Sequence, residues 1–268
     1  MTMCTHLDVS TSGYYDWLGR GDSDRAKQDA ILVAQIQRMH IGHKKNYGAI
    51  RVHPYLKGLN YSCSRRRINR LMKAHGIRSS YHAHRYRRYA GGSAPVADNL
   101  LMELPKADAV GQQWAGDMTH LKTDEGELYM AVVLDLFTRK VIGWGFSRTH
   151  DTDLVEGALK LSLSLEDRES RCIFHSDQGS EYRSDAYRNT IKEANMVSSM
   201  SRSGTPTDNA YVESFYKTLK NELVHHWKFK TLVECVARTI DYIEFYNEVR
   251  LHSGLNYVSP KTYQTLNA

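Results

Sequence analysis

Three acidic residues, far apart in the chain, have the types and settings to do chemistry together: Asp177 in HSDQGSEY, Asp117 in WAGDMTH and Glu213 in DNAYVESF. Asp177 follows a short apolar run, Cys172, Ile173 and Phe174, and a glycine stands two positions after it. Alone, an acid at the end of a strand reads as a turn residue. Sixty positions separate Asp117 from Asp177, and thirty-six separate Asp177 from Glu213. If the strands carrying the two aspartates are neighbours, their carboxylates face each other at one sheet edge. A helix crossing that edge then brings in the third.

Carboxylates brought together repel one another and stay ionised only if a cation neutralises them. Hard oxygen ligands select Mg2+, or Mn2+, over metals that prefer nitrogen and sulfur. An incomplete carboxylate shell keeps positions for water and phosphate oxygens, as phosphoryl transfer between two metal ions requires. The chemistry expected is cleavage or transfer at a phosphodiester. Lys217 and Lys220 follow Glu213 by four and seven positions, on the same helical face, where they could hold DNA phosphates. Taken alone, that spacing also describes an ordinary Glu–Lys surface pair.

The other polar residues nearby have plainer readings. Asp208 is expected to cap the helix that carries Glu213, since GTPTD precedes the helical pattern. Asp135, Asp124 and Glu125 read as turn or ion-pair residues. The thirteen histidines form no metal-spaced cluster; His120, His175 and His252 read as packing or hydrogen-bonding groups, with His175 also placed to support a ligand. Val212, Phe215, Leu219 and Leu223 trace a core stripe, and Trp227 is expected to pack.

The elements that must position these groups follow from periodicity. Residues 112–121 and 128–136 read as strands, and Ile142, Trp144 and Phe146 alternate in a third. The short links TDEG and TRK allow an antiparallel meander. Leu154, Ala158, Leu161 and Leu165 mark a helix after Asp151–Asp153, residues 171–175 a fourth strand, Tyr187, Ile191 and Ala194 a helix after Ser184, and Met196–Ser199 a fifth strand. Helices near 208–226 and 230–249 follow. Together these predict an α/β fold with a mixed five-stranded sheet flanked by helices.

Upstream the chain differs in kind. The net charge of +6 divides into +10 over residues 1–110 and −4 over residues 111–268, and from Ala30 to Ala97 fourteen Lys and Arg occur without one Asp or Glu. That is a footprint for a polyanion. A helix over 24–41, with Leu32, Ile36 and Met39 inward, is capped by Ser23 or Asp24. Two short helices follow, Ala49–Lys57 and Ser64–His75, ended by Gly58 and Gly76. The second carries Arg65, Arg66, Arg67 and Arg70, read as DNA-binding, opposite Ile68, Leu71 and Met72, in helix-turn-helix outline. Tyr81, Tyr86 and Tyr89 then alternate with basic residues, Arg85, Arg87 and Arg88 among them, and GGSAP breaks the pattern. The expected domains are a basic helical region over 1–95, a linker over 96–110 and a catalytic domain over 111–268.

The length and 41% hydrophobic content allow a proper core. No apolar run is long enough to span a bilayer, and the first residues lack the layout of a signal peptide. Four scattered cysteines suit a reducing interior. A cytoplasmic protein associated with the bacterial nucleoid is expected.

Four ordered strings, WAGDMTHLKTDEGELYMAVVLDLFTRKVIGW, HSDQGSEY, GTPTDNAYVESFYKTLKNEL and YNEVRLHSGLNYVSP, resemble the catalytic, downstream-frame subunit of transposases of the insertion-sequence-three family, within the retroviral-integrase-like superfamily. The upstream string NYGAIRVHPYLKGLNYSCSRRRINRLMKAHGIRS resembles that family's helix-turn-helix module. The resemblance implies an RNase H-like fold, Asp117, Asp177 and Glu213 as the acidic triad with Mg2+ (or Mn2+) as cofactor, and Lys217 and Lys220 on DNA. It further implies that water hydrolyses the phosphodiester at an element end and that the freed 3′-hydroxyl attacks a second phosphodiester without ATP. Expected partners are the element ends, target DNA, further copies of the chain, and the upstream-frame product or a fusion with it, since the chain begins near VSTSGYYDWL like a downstream frame. Tyr246, Asn247, Arg250, His252 and Pro260 match the tail motif and are expected to pack on the catalytic core. Two other readings stand beside this one: a DNA-binding regulatory or inactive fragment, and an RNase H-like nuclease without strand transfer.

Overall fold

The structure is a computed structural model that describes residues 2–80, 96–202 and 205–267. Tyr81, Tyr86, Tyr89, the basic residues among them and GGSAP lie outside the described residues. The chain forms two compact units, Met1–Ser79 and Ser80–Ala268.

The first unit is helical: α1 (Thr2–His6), α2 (Thr11–Gly19), α3 (Asp24–Gly42), α4 (Ala49–Gly58) and α5 (Arg65–Ala74). Ser23 caps α3 by accepting from the Ala26 N–H, and Ser64 caps α5 by accepting from the Arg67 N–H, so each start has a local cause. Leu32, Val33, Ile36 and Met39 of α3 are buried, as are Val52 and Leu56 of α4 and Ile68, Leu71 and Met72 of α5. Gly76 takes the left-handed backbone (φ +66°) that ends α5. Apolar periodicity does not announce α2, which buries none of its residues and leaves Tyr15, Trp17 and Leu18 exposed. No helix among the described residues is long and apolar enough to cross a membrane.

Among its described residues the second unit has α6 (Leu100–Glu103), followed by β1 (Gln113–Thr123), β2 (Gly126–Asp135), β3 (Val141–Ser147), α7 (Thr152–Leu165), β4 (Ile173–Ser176), α8 (Asp185–Glu193), β5 (Val197–Met200), α9 (Ala210–Glu222), α10 (Leu232–Glu248) and α11 (Pro260–Leu266). The sheet order is β3-β2-β1-β4-β5. The meander β1–β2–β3 is antiparallel, whereas β1–β4 and β4–β5 are parallel. This is the mixed five-stranded sheet flanked by helices that an RNase H-like domain requires. The stretch 96–110, expected as a linker, is built into this unit: Met200 N–H donates to the Asp98 carbonyl and Leu100 N–H to Ser199 Oγ, so it lines the β5 edge.

Strand alternation sorts the core into two layers. Leu128, Met130, Val132 and Leu134 of β2 join Ala115 and Leu121 of β1 against Val212, Phe215 and Leu219 of α9 and Tyr242 and Tyr246 of α10. Ala131 and Val133 face the other way with Trp114, against Leu154, Val155, Ala158 and Leu159 of α7 and Tyr187 and Ile191 of α8. Helix α7 lies so close to β3 that a Cβ on Gly143 would sit 2.3 Å from the Ala158 carbonyl oxygen. Only glycine fits there.

The tail residues have definite roles in this packing. Asn247 clamps β3 with its amide, Oδ1 accepting from Val141 N–H and Nδ2 donating to Val141 O. Arg250 makes a bidentate, buried pair with Glu222 (2.8 and 2.9 Å), whose Oε2 also accepts from Tyr242 OH. Tyr246 packs edge-on against Phe215, and His252 and Ser259 cap the turns that lead into α11, with Pro260 at its first position. Trp227 is the exception to expectation. It is 42% exposed and its ring is covered by the Arg238 guanidinium, 3.4 Å above the centroid, because its position falls after α9 has ended and outside the buried stripe.

Candidate active site

The register of β1 on β4 sets the two aspartates side by side. Gln113 lies opposite Ile173, Trp114 opposite Phe174 and Ala115 opposite His175, a constant offset of sixty positions. The same offset separates Asp117 from Asp177, so two residues beyond the last β1–β4 pair Asp117, still within β1, comes level with Asp177, the first residue past the carboxyl end of β4. Parallel strands bind ligands outside their carboxyl ends, which here is the end of β4. Asp117 shares the face of Ala115 and Leu121, the layer that α9 covers, and Glu213 stands in the first turn of that helix.

Electrostatics agree with the placement. Burial pushes the Asp117 carboxyl up to about 8, and the charges of Asp177 and then Glu213 push the same way, while a hydrogen bond from Met118 N–H and the Lys220 charge oppose them. Asp177 is raised mainly by burial and further by Glu181, although it stands on the exposed rim; its Oδ1 accepts from Gly179 N–H at 2.9 Å. Glu213 is raised by burial alone.

Among the described residues no three His, Cys, Asp or Glu side chains stand close enough to hold a metal ion as they are. The arrangement is a close aspartate pair with a glutamate in electrostatic reach. Its donors are all carboxylate oxygens, its charge is only partly opposed, by Lys220 at Asp117 and by His150 and Arg183 at Asp177, and the buried Oδ1 of Asn209, next to Gly116, has no partner. A hard divalent cation fits this set: it would relieve the repulsion that raises Asp117 and draw Glu213 in.

The two lysines of α9 part company. Lys220 is half-buried, with its ammonium pulled down by burial and held up by Asp117, so it belongs to the site. Lys217 is exposed. Asp208 does not cap α9, whose cap position is Asn209 without a side-chain bond. Its carboxylate is taken instead by Arg202, through N–H, Nε and Nη2 at 3.0–3.1 Å, and by Asn99 Nδ2 at 2.7 Å. An arginine fork outcompetes a capping bond. His175 is fully buried between Ser199 and Ser201, burial holding it neutral with a pKa of about 4, and so it ties β4 to β5. Asp135 is a turn residue, its carboxylate accepting from Gly111, Phe137 and Thr138.

Sequence reasoning does not single out Glu181, Asn209 or Tyr216. Glu181 is buried and pairs with His150 at 2.8 Å, four residues after Asp177. Tyr216 OH donates to the Asp117 carbonyl at 2.6 Å. For Tyr216 the available signal is a hydroxyl-bearing residue three positions after Glu213, next to Phe215 of the core stripe.

In the first unit the arginines of α5 also divide. Arg67 Nε and Arg70 Nη2 bind the two oxygens of Asp29, at 2.7 and 2.6 Å, whereas Arg65 and Arg66 are exposed and make no ion pair among the described residues.

A mixed sheet in this order, with acids gathered beside the middle of β1 and the end of β4 and a helical unit earlier in the chain, defines an integrase-type catalytic domain following a helix-turn-helix-like one. Residues 107–206 and 195–260 match integrase core domain families, and residues 27–85 match an HTH-like domain. The chain is 38% identical to the transposase for insertion sequence element IS904 of Lactococcus lactis subsp. lactis, over 93% of this chain and 99% of that protein. It is 35% identical to the transposase InsF for insertion sequence IS3A of Escherichia coli, over 99% and 93%. The catalytic core of the HTLV-2 integrase, solved in complex with magnesium, is similar at 17% identity with a TM-score of 0.45, covering 58% of this chain and 97% of that one. The chain belongs to the transposases of the insertion-sequence-three family.

Proposed function

We propose that this transposase cuts and joins DNA at a site formed by Asp117, Asp177 and Glu213, holding Mg2+ or Mn2+. The observation that carries the proposal is the sixty-residue register of β1 on β4, which matches the separation of the two aspartates. When bound, the cations would supply charge neutralisation at the phosphodiester and acidify a water. The protein's own part is to hold Asp117 within β1 and Asp177 at the end of the neighbouring β4, with Glu213 and Lys220 presented from α9. Hydrolysis at an element end frees a 3′-hydroxyl; that hydroxyl then attacks a target phosphodiester, one P–O bond forming as another breaks, so no ATP is consumed.

DNA ends and target are the substrates. The exposed Arg65 and Arg66 on α5 and Lys217 on α9 are proposed contacts with phosphate, and joining two ends calls for more than one copy of the chain. The upstream-frame product, or a fusion with it, is a proposed partner in recognising the ends.

The test uses labelled element-end DNA with the full chain, alone and fused to the upstream frame. Asp177→Asn, Asp117→Asn and Glu213→Gln should each lower cleavage and joining by on the order of 10²–10³-fold or more. Cleavage persisting in Asp177→Asn would remove that residue from the mechanism. DNA binding without chemistry in the fused wild type would make the chain a regulator.

A further inference from the structure

Two buried side chains straddle Glu213 and tie α9 to the strand that carries Asp117. Asn209, 4% exposed, donates from Nδ2 to the Gly116 carbonyl at 3.0 Å. Tyr216, 5% exposed, donates its hydroxyl to the Asp117 carbonyl at 2.6 Å, with the Met130 carbonyl of β2 at 3.2 Å. The donors stand four residues before Glu213 and three after it, and the acceptors are consecutive residues of β1. We propose that Asn209 and Tyr216 are positioning residues that lock the register of α9 on β1, so that Glu213 is presented to the aspartate pair.

Sliding a helix by one residue moves a side chain by about 1.5 Å and turns it by about 100°. The apolar stripe of Val212, Phe215 and Leu219 holds α9 on the sheet, but apolar contact is non-directional and does not fix that register closely. Two directional bonds, seven residues apart and both shielded from water, resist sliding and rotation alike. Asp208, immediately upstream, adds a third restraint through Arg202 and Asn99. Because Glu213 does not complete a metal-holding group with the aspartates as it stands, the distance left for it to cover depends on this register. The lock rests on the proposed role of Glu213 as a ligand.

The test compares wild type with Tyr216→Phe, which keeps the ring and removes the donor, and with Asn209→Ala. Two quantities are measured on the full chain: the Mn2+ concentration giving half-maximal cleavage of end DNA, and the Mn2+ concentration giving the half-maximal rise in unfolding temperature. Tyr216→Phe should raise both by about fivefold to tenfold, the worth of one buried hydrogen bond. Cleavage at saturating Mn2+ should return towards the wild-type rate, and DNA affinity should be unchanged. Asn209→Ala should shift both in the same direction. If both variants merely unfold at lower temperature, with Mn2+ titrations unchanged, the bonds serve packing and the proposal is overturned. Glu213→Gln, measured in parallel, separates the two levels: if it titrates with Mn2+ and cleaves like wild type, Glu213 is no ligand and the register lock falls with it. If it is inactive while Tyr216→Phe titrates normally, only the lock fails.

Discussion

The two units treat charge in opposite ways. In the helical unit a single carboxylate, Asp29, takes up two arginines of α5, and their hydrogen bonds, Arg70's first, hold it below the usual carboxylate range. In the sheet unit Asp117 is pushed up to about 8 by burial and by its acidic neighbours, with Lys220 as the opposing charge. One cluster is settled within the chain; in the other the opposing charge is partial, and under the proposed function a cation would complete it. Charge that its own neighbours oppose only in part is therefore the better pointer to the proposed place of chemistry than charge density.

The largest effect should come from removing the strain at Asp117. A carboxyl whose folded pKa is raised binds its proton more tightly folded than unfolded, so between about 4 and about 8 the metal-free protein loses stability as pH rises. Asp117→Asn should abolish cleavage yet raise the unfolding temperature of the metal-free protein at pH 8 by about 3 °C or more. It should also flatten the pH dependence in that window. A lower melting point at pH 8 would show the acid to be a structural ion-pair or turn residue after all.

Next in size is a cluster in the same unit that is internally settled. Breaking the Glu222–Arg250 pair, which is almost wholly enclosed, leaves a buried charge without its counterion. Arg250→Met should cost about 3–5 kcal/mol in denaturant unfolding. Since Tyr242 of α10 and Arg250, two residues past that helix, are joined to the end of α9, Mn2+ should recover little of that loss. Substantial recovery by Mn2+ would mean that this pair reports on the metal-holding acids rather than on the fold.

Much of this was legible beforehand, and the reasons are physical. Sheet strands, the α7 and α8 starts and the buried stripe of α9 are written in local periodicity and in Asp151 and Ser184, which do cap their helices. The meeting of Asp117 and Asp177 needed only the neighbourhood of their strands, because an offset between paired strands is a single number. What was not legible depended on partners distant in sequence. Asp208 read as a cap because Arg202 and Asn99 could not be placed against it, and Trp227 was expected to pack because nothing local showed that its ring is covered by Arg238, from the next helix. The acid-free window beginning at Ala30 misled in a narrower way, since the carboxylate that neutralises Arg67 and Arg70 is Asp29, one residue outside it.

Those arginines offer the smallest and most discriminating measurement. If a settled charge is unavailable to DNA, the four arginines of α5 must fall into two pairs. Replacing Arg65 and Arg66 by Ala should reduce the slope of log K against log salt by roughly 0.9 for each phosphate no longer neutralised, with little change in folding stability. Replacing Arg67 by Ala should leave the slope nearly intact and instead lower the unfolding temperature of the helical unit by a few degrees, since the bond it gives up is charged and half-buried. Equal slopes for both variants would mean that Asp29 releases its arginines when DNA binds. The double variant Asp29→Asn with Arg67→Ala decides between these, because freeing Arg70 from Asp29 should then steepen the slope only if that arginine can reach a phosphate.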